Sequence, residues 1–371
     1  MPFSSGNIVR VGLIGCGEIA QVAHIPMLNH MSDYYQITYL CDISKQSLEH
    51  CASKVVRSPP KTTIDASELC SSSDVDAVIV CNATALHAKH AILALQHDKH
   101  VFVEKPLALC YRDLDALQAS EAKSKGRLFV GYMRRYAPAF LQAIAEVGDR
   151  SKIQYVRVRD IIGPNSTFVN QSATFPKKFD DFNDEDSEAL QAQNEDILQQ
   201  ALTQEFEVPS DDHTKLMLQV LGGLGSHDLS AMREAVGIPQ SVIGADLRWP
   251  IWTTMFRYEN FTAVYESGIN NVPVFDAHIE IYTDTKIVRV NYDSPYVKGL
   301  PTTMTVREKV ESNGAYQERT MRLTYEDSYT IEFKEWHGSI SSGRQFKTTI
   351  ADARQDLDIF KMMLQAAYKK K

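Results

Sequence analysis

A glycine-rich segment near the start of the chain constrains its fold more than any other feature. Residues 8–14 are an apolar stretch that predicts a buried strand, and the sequence GCGEIA at residues 15–20 follows at once. Between a strand and a helix, Gly15 permits a tight turn, Gly17 lets a pyrophosphate approach the backbone, and Ala20 lets the helix pack closely on the strand. The pattern therefore predicts a dinucleotide site in which the phosphates meet a helix N-terminus.

The acidic residue after the next predicted strand bears on the choice of cofactor. Residues 37–41 predict that strand, and Asp42 follows roughly 20 residues beyond the glycines, where a carboxylate can bind the ribose 2′-hydroxyl. A carboxylate there repels a 2′-phosphate, so Asp42 favours NAD over NADP. Ser44 and Lys45 follow Asp42 closely and could bind a 2′-phosphate, so NADP remains an alternative. A role of Asp42 as a simple helix cap is a further alternative.

Strands and helices are predicted to alternate through the first third of the chain. Predicted strands at residues 75–80, 101–103 and 127–131 are separated by predicted helices at 86–97 and 109–125. This order requires a doubly wound parallel sheet. We therefore assign residues 1–130 to an NAD(P)-binding Rossmann domain.

Within this domain, the sequence HVFVEKPL at residues 100–107 indicates a buried strand that ends in a charged pair. Pro106 disfavours the helical region for the residue before it, so Lys105 is expected to be extended. A lysine at the carboxyl end of a parallel strand lies where open α/β sheets bind ligands. The alternative is an isolated lysine whose ammonium group simply reaches water.

The cofactor contacts are expected in the turns that follow the predicted strands. They are Gly15, Gly17, Glu18, Ile19, Asp42, Asn82, Thr84, His87, Glu104 and Lys105. Four histidines in this region suggest a metal site at first sight, namely His87, His90, His97 and His100. No acid or cysteine completes a ligand shell around them, so we expect no metal.

Composition and charge exclude several classes of protein. The formal net charge of −8 argues against binding to nucleic acid or to an anionic membrane, since both need a basic face. No apolar run approaches the length of a membrane span, and residues 1–7 lack the pattern of a secretory signal. The six cysteines show no CxxC spacing, so reduced thiols in a cytoplasmic protein are expected. Residues 369–371, three lysines, are expected to form a solvated end.

The remainder of the chain, residues 131–371, is predicted to be a substrate-binding and oligomerisation domain. Alternating apolar segments from residue 153 onward favour an open, mainly antiparallel β-sheet, and a second subunit can cover its apolar face to form a homodimer or homotetramer. Residues 215–236 predict one long helix that carries His227 and a cluster of glycines. An acidic insertion at about 163–213 is interpreted either as a solvated surface or as a lid over a substrate.

Four motifs, in the same order, resemble those of the glucose–fructose oxidoreductase/inositol dehydrogenase (Gfo/Idh/MocA) family, and the likeness extends over essentially the whole chain. They are GLIGCGEIA at 12–20, DKHVFVEKP at 98–106, GYMRRYAP at 131–138, and GSH at 225–227 followed by Arg233. The resemblance implies that Lys105 orients a substrate hydroxyl beside the nicotinamide and that His227 transfers a proton as the hydride leaves. Arg134, Tyr136 and Asp160 are further candidate substrate contacts.

The sequence departs from the family pattern at two places. Many members carry an aspartate one helical turn before the histidine, and this chain has Gly223 there. Asp228 adjoins His227, but neighbouring residues on a helix point apart, so we do not expect it to replace that aspartate. The family's Thr-Pro-Asn after the fourth strand is altered to Asn-Ala-Thr at residues 82–84.

These features predict an NAD(P)-dependent dehydrogenase or reductase that acts on CH-OH groups. It would transfer a hydride between nicotinamide and a secondary hydroxyl or ketone of a sugar, cyclitol or related ring. Two alternatives stay open, a redox-neutral NAD-using enzyme that cleaves glycosides and a non-catalytic regulator of the same fold that senses a dinucleotide. Retention of both Lys105 and His227 favours an enzyme, whereas Gly223 favours the regulator.

Overall fold

A computed structural model describes residues 8–368, and these residues divide into two compact units. The expectations for residues 1–7 and 369–371 lie outside the described residues. The first unit contains Gly131 and the described residues before it, Ser172–Ala201 and Phe333–Arg354. The second unit contains Tyr132–Gln171, Leu202–Glu332 and the residues from Gln355 onward.

The first unit is built on a six-stranded parallel sheet. Its strands are β1 (Val9–Ile14), β2 (Tyr35–Cys41), β3 (Lys61–Thr63), β4 (Ala77–Val80), β5 (His100–Glu104) and β6 (Leu128–Gly131). They lie in the order β3-β2-β1-β4-β5-β6, and each neighbouring pair is parallel. The order reverses between β1 and β4, which is the switch point at which doubly wound sheets bind ligands. The predicted Rossmann sheet is confirmed.

The second unit is built on an eight-stranded sheet. Its strands are β7 (Ile153–Ile162), β8 (Ser241–Asp246), β9 (Ile251–Arg257), β10 (Thr262–Ile269), β11 (Phe275–Thr283), β12 (Lys286–Tyr292), β13 (Thr303–Lys309) and β14 (Tyr316–Met321). The order is β14-β13-β12-β11-β7-β10-β9-β8. The pair β7 and β10 is parallel and the other neighbouring pairs are antiparallel. The predicted mainly antiparallel sheet is confirmed.

Helical segments connect and cover these strands. The α-helices are α1 (Ile25–His30), α2 (Lys45–Ala52), α3 (Ala66–Ser71), α4 (His87–Gln96), α5 (Tyr111–Glu121), α6 (Met133–Tyr136), α7 (Pro138–Val147), α8 (Asn165–Asn170), α9 (Asp184–Gln199), α10 (Asp212–Val220), α11 (Ser226–Val236), α12 (Ser328–Ser342) and α13 (Ile350–Tyr368). Shorter helical turns are Ala20–His24, Thr84–Leu86, Arg150–Lys152, Gln200–Glu205 and Leu221–Gly225. None of the described helices is both long and apolar enough to cross a membrane.

The helix predicted at residues 215–236 consists of three consecutive segments. Helix α10 continues into a π-helical turn, Leu221–Gly225, and then into α11. Gly225 is required by close packing, since a Cβ atom there would lie 2.9 Å from the Tyr265 hydroxyl. The glycine cluster thus marks a wide helical turn packed closely on a strand, as glycines inside a helix indicate.

The predicted second domain, residues 131–371, is not continuous in the structure. Ser172–Ala201 and Phe333–Arg354 pack with the first unit. In the latter segment, Phe333 stacks on Phe102 of β5 with ring centroids 5.1 Å apart, and Tyr35 of β2 donates a 2.6 Å hydrogen bond to the Phe333 carbonyl. These aromatic side chains bury one face of the parallel sheet, which is why this part of the chain returns to it.

One strand and its following helix were absent from the sequence prediction. Strand β3 is a three-residue edge strand in which Lys61 and Thr62 are exposed, and α3 follows it. Edge strands are often short and polar, so neither an apolar run nor a clear alternation of apolar and polar residues marks this one.

Candidate functional site

The glycine-rich turn after β1 has the geometry that a dinucleotide loop needs. Gly15 has a φ of +108°, and a Cβ atom there would lie 2.7 Å from the backbone nitrogen of Asn82, so glycine is required on both counts. At Gly17 a Cβ atom would meet no described atom within 4 Å, and the residue is exposed. The backbone at Gly17 is therefore open to a pyrophosphate, with the half-buried Glu18 and Ile19 beside it.

Asp42 lies at the carboxyl end of β2 and binds two backbone groups. Its Oδ2 accepts a 2.7 Å hydrogen bond from the Cys16 N–H of the glycine turn, and its Oδ1 accepts a 2.9 Å bond from the Ser44 N–H. Ser44, not Asp42, caps α2, because its hydroxyl accepts from the Ser47 N–H. Asp42 is thus tied to the nucleotide loop and retains lone pairs for a ribose hydroxyl.

The ends of β4 and β5 are joined through a buried histidine. The Nδ1 of His87 lies 2.8 Å from the Pro106 carbonyl, and its Nε2 lies 3.1 Å from the Asn82 carbonyl. Burial lowers the pKa of His87. The Asn82 amide in turn bonds His90, while Thr84 lies half-exposed in the short helical turn that precedes α4. His87 therefore links the turn after β4 to the turn after β5, and both turns are predicted to contact the cofactor.

Lys105 follows a buried acid at the end of β5. Glu104 Oε1 lies 2.9 Å from Nε2 of the fully buried His24, and Glu104 Oε2 accepts the Lys105 backbone N–H at 3.2 Å. Although burial favours the neutral acid, His24 and the charge of Lys105 lower the pKa of Glu104. The half-buried Lys105 thus lies on a backbone that its neighbours hold in place, at the ligand-binding edge of the sheet.

The first unit gathers all ten residues predicted to contact a cofactor. They lie at the carboxyl ends of the adjacent strands β1, β2, β4 and β5, most of them in the turns that follow, with Glu104 as the last residue of β5 and His87 as the first of α4. Among the described residues, no group of three or more histidine, cysteine, aspartate or glutamate side chains is arranged to hold a metal ion. The open backbone at Gly17, the carboxylate at Asp42 and the strand-end lysine fit a nicotinamide dinucleotide.

The other predicted residues lie in the second unit. His227 is half-buried in the first turn of α11. Gly223 lies four residues earlier in the π-helical turn, where it is exposed and a Cβ atom would meet no described atom within 4 Å. Tyr136 is buried at the end of α6. The place of the family's aspartate therefore has room for a side chain.

Arg134 and Asp160 belong to a buried ionic cluster that the sequence did not indicate. Arg134 Nη1 donates to Asp160 Oδ2 at 3.1 Å and also to Asp228 Oδ1. Both aspartates are at most 1% exposed, and the rings of Phe275 and Tyr292 lie 5.7 and 4.9 Å from the guanidinium carbon. Burial opposes the charge of Arg134, but Asp160 and Asp228 raise its pKa.

The surroundings of Asp228 favour the neutral form of its carboxyl group. Burial, followed by the negative charge of Asp160, raises the pKa of Asp228 well above its usual range. Asp160 Oδ1 and Asp228 Oδ2 are buried and accept no hydrogen bond from the described residues, so a proton on Asp228 would remove the cost of a second buried charge. The expectation that Asp228 does not orient His227 fits this arrangement, since its side chain is committed to Arg134.

The first unit thus defines a Rossmann-type dinucleotide-binding domain, and comparison with known proteins gives its family. Residues 9–132 match the GFO_IDH_MocA model, described as an oxidoreductase family with an NAD-binding Rossmann fold. The predicted resemblance to the Gfo/Idh/MocA oxidoreductases is thus confirmed over residues 9–132. It is 32% identical over 169 residues to a Myo-inositol 2-dehydrogenase of Thermotoga maritima, which is 44% of this chain and 49% of that protein. The chain thus spans about half the length of this curated relative.

Two solved structures share the fold along nearly the entire chain. An oxidoreductase from Thermotoga maritima has a TM-score of 0.69 at 20% identity, over 98% of this chain and 97% of that one. KijD10, a 3-ketoreductase from Actinomadura kijaniata in complex with NADP and TDP-benzene, has a TM-score of 0.68 at 15% identity, over 98% of both chains. At these identities the likeness shows the fold alone.

Proposed function

We propose that the protein is an NAD-dependent oxidoreductase that interconverts a secondary hydroxyl and a ketone on a sugar, cyclitol or related ring. The observation that carries this proposal is the position of Lys105 at the carboxyl end of β5, in the same unit as the open turn at Gly17. The proposed substrate class rests on two similar proteins. One relative is a Myo-inositol 2-dehydrogenase, and one protein of the same fold is a 3-ketoreductase.

In this proposal Lys105 orients the substrate and His227 transfers the proton. When bound, the nicotinamide supplies the hydride acceptor or donor. The Lys105 ammonium donates a hydrogen bond to the substrate oxygen and orients the carbon that carries the hydride. His227 takes the hydroxyl proton in the direction of oxidation and returns it in the direction of reduction. Glu104 and His24 keep the Lys105 backbone in place through their buried contact.

We propose NAD rather than NADP on account of Asp42. Its carboxylate is fixed by the Cys16 and Ser44 N–H groups at the end of β2. A fixed negative charge accepts a hydrogen bond from a ribose 2′-hydroxyl and repels a 2′-phosphate. KijD10 was solved with NADP, so the preference of this chain requires its own measurement.

We also propose a cytoplasmic location and a homo-oligomeric assembly. All six cysteines are buried thiols, which supports a cytoplasmic protein with reduced cysteines. Strands β8 and β9 expose the apolar side chains of Ile243, Ile251 and Met255. These residues support a homo-oligomer assembled through the second sheet.

The direct test is the appearance of reduced nicotinamide absorbance. The protein is mixed with NAD, and separately with NADP, across a panel of sugars and cyclitols. We expect a signal that depends on protein and on one substrate class, and that is stronger with NAD. If NADH binds but the whole panel is silent, the dehydrogenase proposal fails and the redox-neutral enzyme or the dinucleotide sensor takes its place, since neither converts cofactor stoichiometrically.

Gly223 offers a test of the role proposed for His227. We expect Gly223→Asp to fold normally, because a Cβ atom there meets no described atom within 4 Å, and to raise kcat roughly tenfold by orienting the histidine one turn away. The control is Gly223→Ala, which changes helix propensity by about 1 kcal/mol but adds no carboxylate. Equal kcat values for the two variants would show that a carboxylate at this position does not assist His227.

A further inference from the structure

A short part of the acidic insertion lies against the nucleotide-binding end of the first unit. We call residues 177–181 the strap. The Gln21 side chain, which follows the glycine turn, binds both backbone groups of Lys177: Gln21 Nε2 donates to the Lys177 carbonyl at 2.9 Å, and the Lys177 N–H donates to Gln21 Oε1 at 2.8 Å. Gln21 Nε2 also donates to the Cys16 carbonyl at 2.9 Å, so the strap is tied to the glycine turn itself.

The other end of the strap reaches the start of α2. Asp181 Oδ1 accepts a hydrogen bond from the Ser44 hydroxyl, and Asp181 Oδ2 accepts one from the Gln46 N–H at 3.0 Å. Between the two anchors, the ring of Phe179 lies 5.8 Å from that of His50 on α2. The hydrogen bonds from Ser44 and Gln46 lower the pKa of Asp181, so this carboxylate is ionised at neutral pH.

The chain beyond the strap is anchored to the same unit a second time. Helix α9 packs against the Thr84–Leu86 turn that follows β4. Its Asp196 accepts a 2.7 Å hydrogen bond from Arg112 of α5. The insertion is therefore held on both sides of the switch point between β1 and β4, and the position of Asp181 does not depend on one exposed contact.

Ser44 donates hydrogen bonds to the carboxylates of both Asp42 and Asp181. Asp42 accepts the Ser44 backbone N–H, and Asp181 accepts the Ser44 hydroxyl. That hydroxyl also accepts the Ser47 N–H, so its single proton is committed to Asp181. A serine in this state cannot donate to a phosphate, and both carboxylates would repel a phosphate bound at this turn.

We propose that Asp181 is a specificity-determining residue, through which the insertion excludes the 2′-phosphate of NADP. The inference rests on the proposed function, because it takes the turn after β2 as the place of the adenosine ribose. It assigns the insertion a role that is neither a solvated surface nor a lid over the substrate. Lys45, whose role as a phosphate ligand the sequence leaves open, directly follows Ser44, the residue that both acids bind.

The test measures the dissociation constants of NADH and NADPH by nicotinamide fluorescence, without any substrate. We expect the wild-type chain to bind NADH at least roughly tenfold more tightly than NADPH, and Asp181→Asn to reduce that ratio by roughly tenfold, since it removes one charge near a dianion. Asp181→Lys should reduce it further. Asp180→Asn removes an equal charge from the neighbouring residue of the strap and should leave the ratio unchanged.

The outcomes separate this inference from the function on which it rests. A wild-type chain that binds neither dinucleotide overturns the proposed function itself. NADH binding with the same NADH-to-NADPH ratio in Asp181→Asn and in Asp180→Asn overturns the role of Asp181 alone. A wild-type preference for NADPH overturns both that role and the preference for NAD proposed from Asp42. A reduced ratio in Asp181→Asn, with Asp180→Asn unchanged, supports the inference.

Discussion

Replacing Lys105 with methionine is expected to lower kcat by roughly 10³-fold, because in the proposed mechanism it removes the ammonium group that holds and polarises the substrate oxygen. The Kd for NADH is expected to change by less than about threefold, since the proposed sites of the phosphates and the ribose lie elsewhere. Methionine keeps an unbranched side chain of similar length. The Glu104 carboxylate bonds the Lys105 backbone N–H rather than its side chain, so this turn keeps its anchor in the variant.

The measurements are single-turnover and steady-state rates together with an NADH titration. Lys89→Met is a matched control, because Lys89 is an exposed lysine on α4, outside the strand-end turns. It should retain wild-type rates. A Lys105→Met variant that keeps more than a tenth of wild-type turnover would contradict the mechanism. One that loses NADH binding would make Lys105 a cofactor ligand rather than a catalytic residue.

The fold of the first unit could be predicted from the sequence because each of its elements is determined by residues that are close together in the chain. An apolar strand, a glycine turn and a helix follow one another within residues 8–30, and each is determined by neighbours in the chain. Parallel strands then bring their carboxyl ends to one edge, so Asp42 and Lys105 could be placed at that edge before any coordinates were known.

The ionic cluster of the second unit could not be predicted in the same way. Arg134, Asp160 and Asp228 come from a short helix, a strand and a second helix, and their pairing spans up to 94 residues of sequence. Asp160 lies on the face of β7 that also buries Val156 and Val158, where alternation predicts another apolar residue. A buried acid can be recognised in the sequence as a break in that alternation. The sequence does not show which residue pairs with it.

The role of the acidic insertion was also beyond local reasoning. A run of like charges predicts solvent exposure, and most of this segment is exposed. Asp180 and Asp181 are adjacent, yet Asp181 binds Ser44 and Gln46, at a sequence separation of more than 130 residues. The two aspartates are equivalent in composition and charge, so only the three-dimensional position distinguishes them.

Removing the cation of the buried cluster is expected to have the largest effect on stability. Arg134→Met leaves the Asp160 carboxylate buried without a counter-charge and removes the hydrogen-bond donor to both aspartates, so it should lower the free energy of unfolding by about 3–5 kcal/mol. The methionine also loses the contact of the guanidinium with the Tyr292 ring. Urea unfolding at pH 7 measures the change.

The matched variant is Asp228→Asn, which tests whether the cluster holds a proton. Since burial and the charge of Asp160 raise the pKa of Asp228, we expect its neutral form at pH 7, and a neutral amide of the same shape should cost less than about 1 kcal/mol. An asparagine N–H can donate to Asp160 as the acid does. Comparable losses in Arg134→Met and Asp228→Asn would instead identify Asp228 as an ionised partner of the arginine.

The pH dependence of the stability difference between wild type and Asp228→Asn is an independent test of whether folded Asp228 carries a proton. The raised pKa means that folded Asp228 keeps a proton that the unfolded chain releases once the pH exceeds about 4. The contribution of this group to stability is therefore fully present below that pH and is lost as the pH rises toward the folded-state pKa. Wild type should be stabilised relative to Asp228→Asn more at pH 5 than at pH 8. A stability difference that is the same at both values would mean that folding takes up no proton at this cluster.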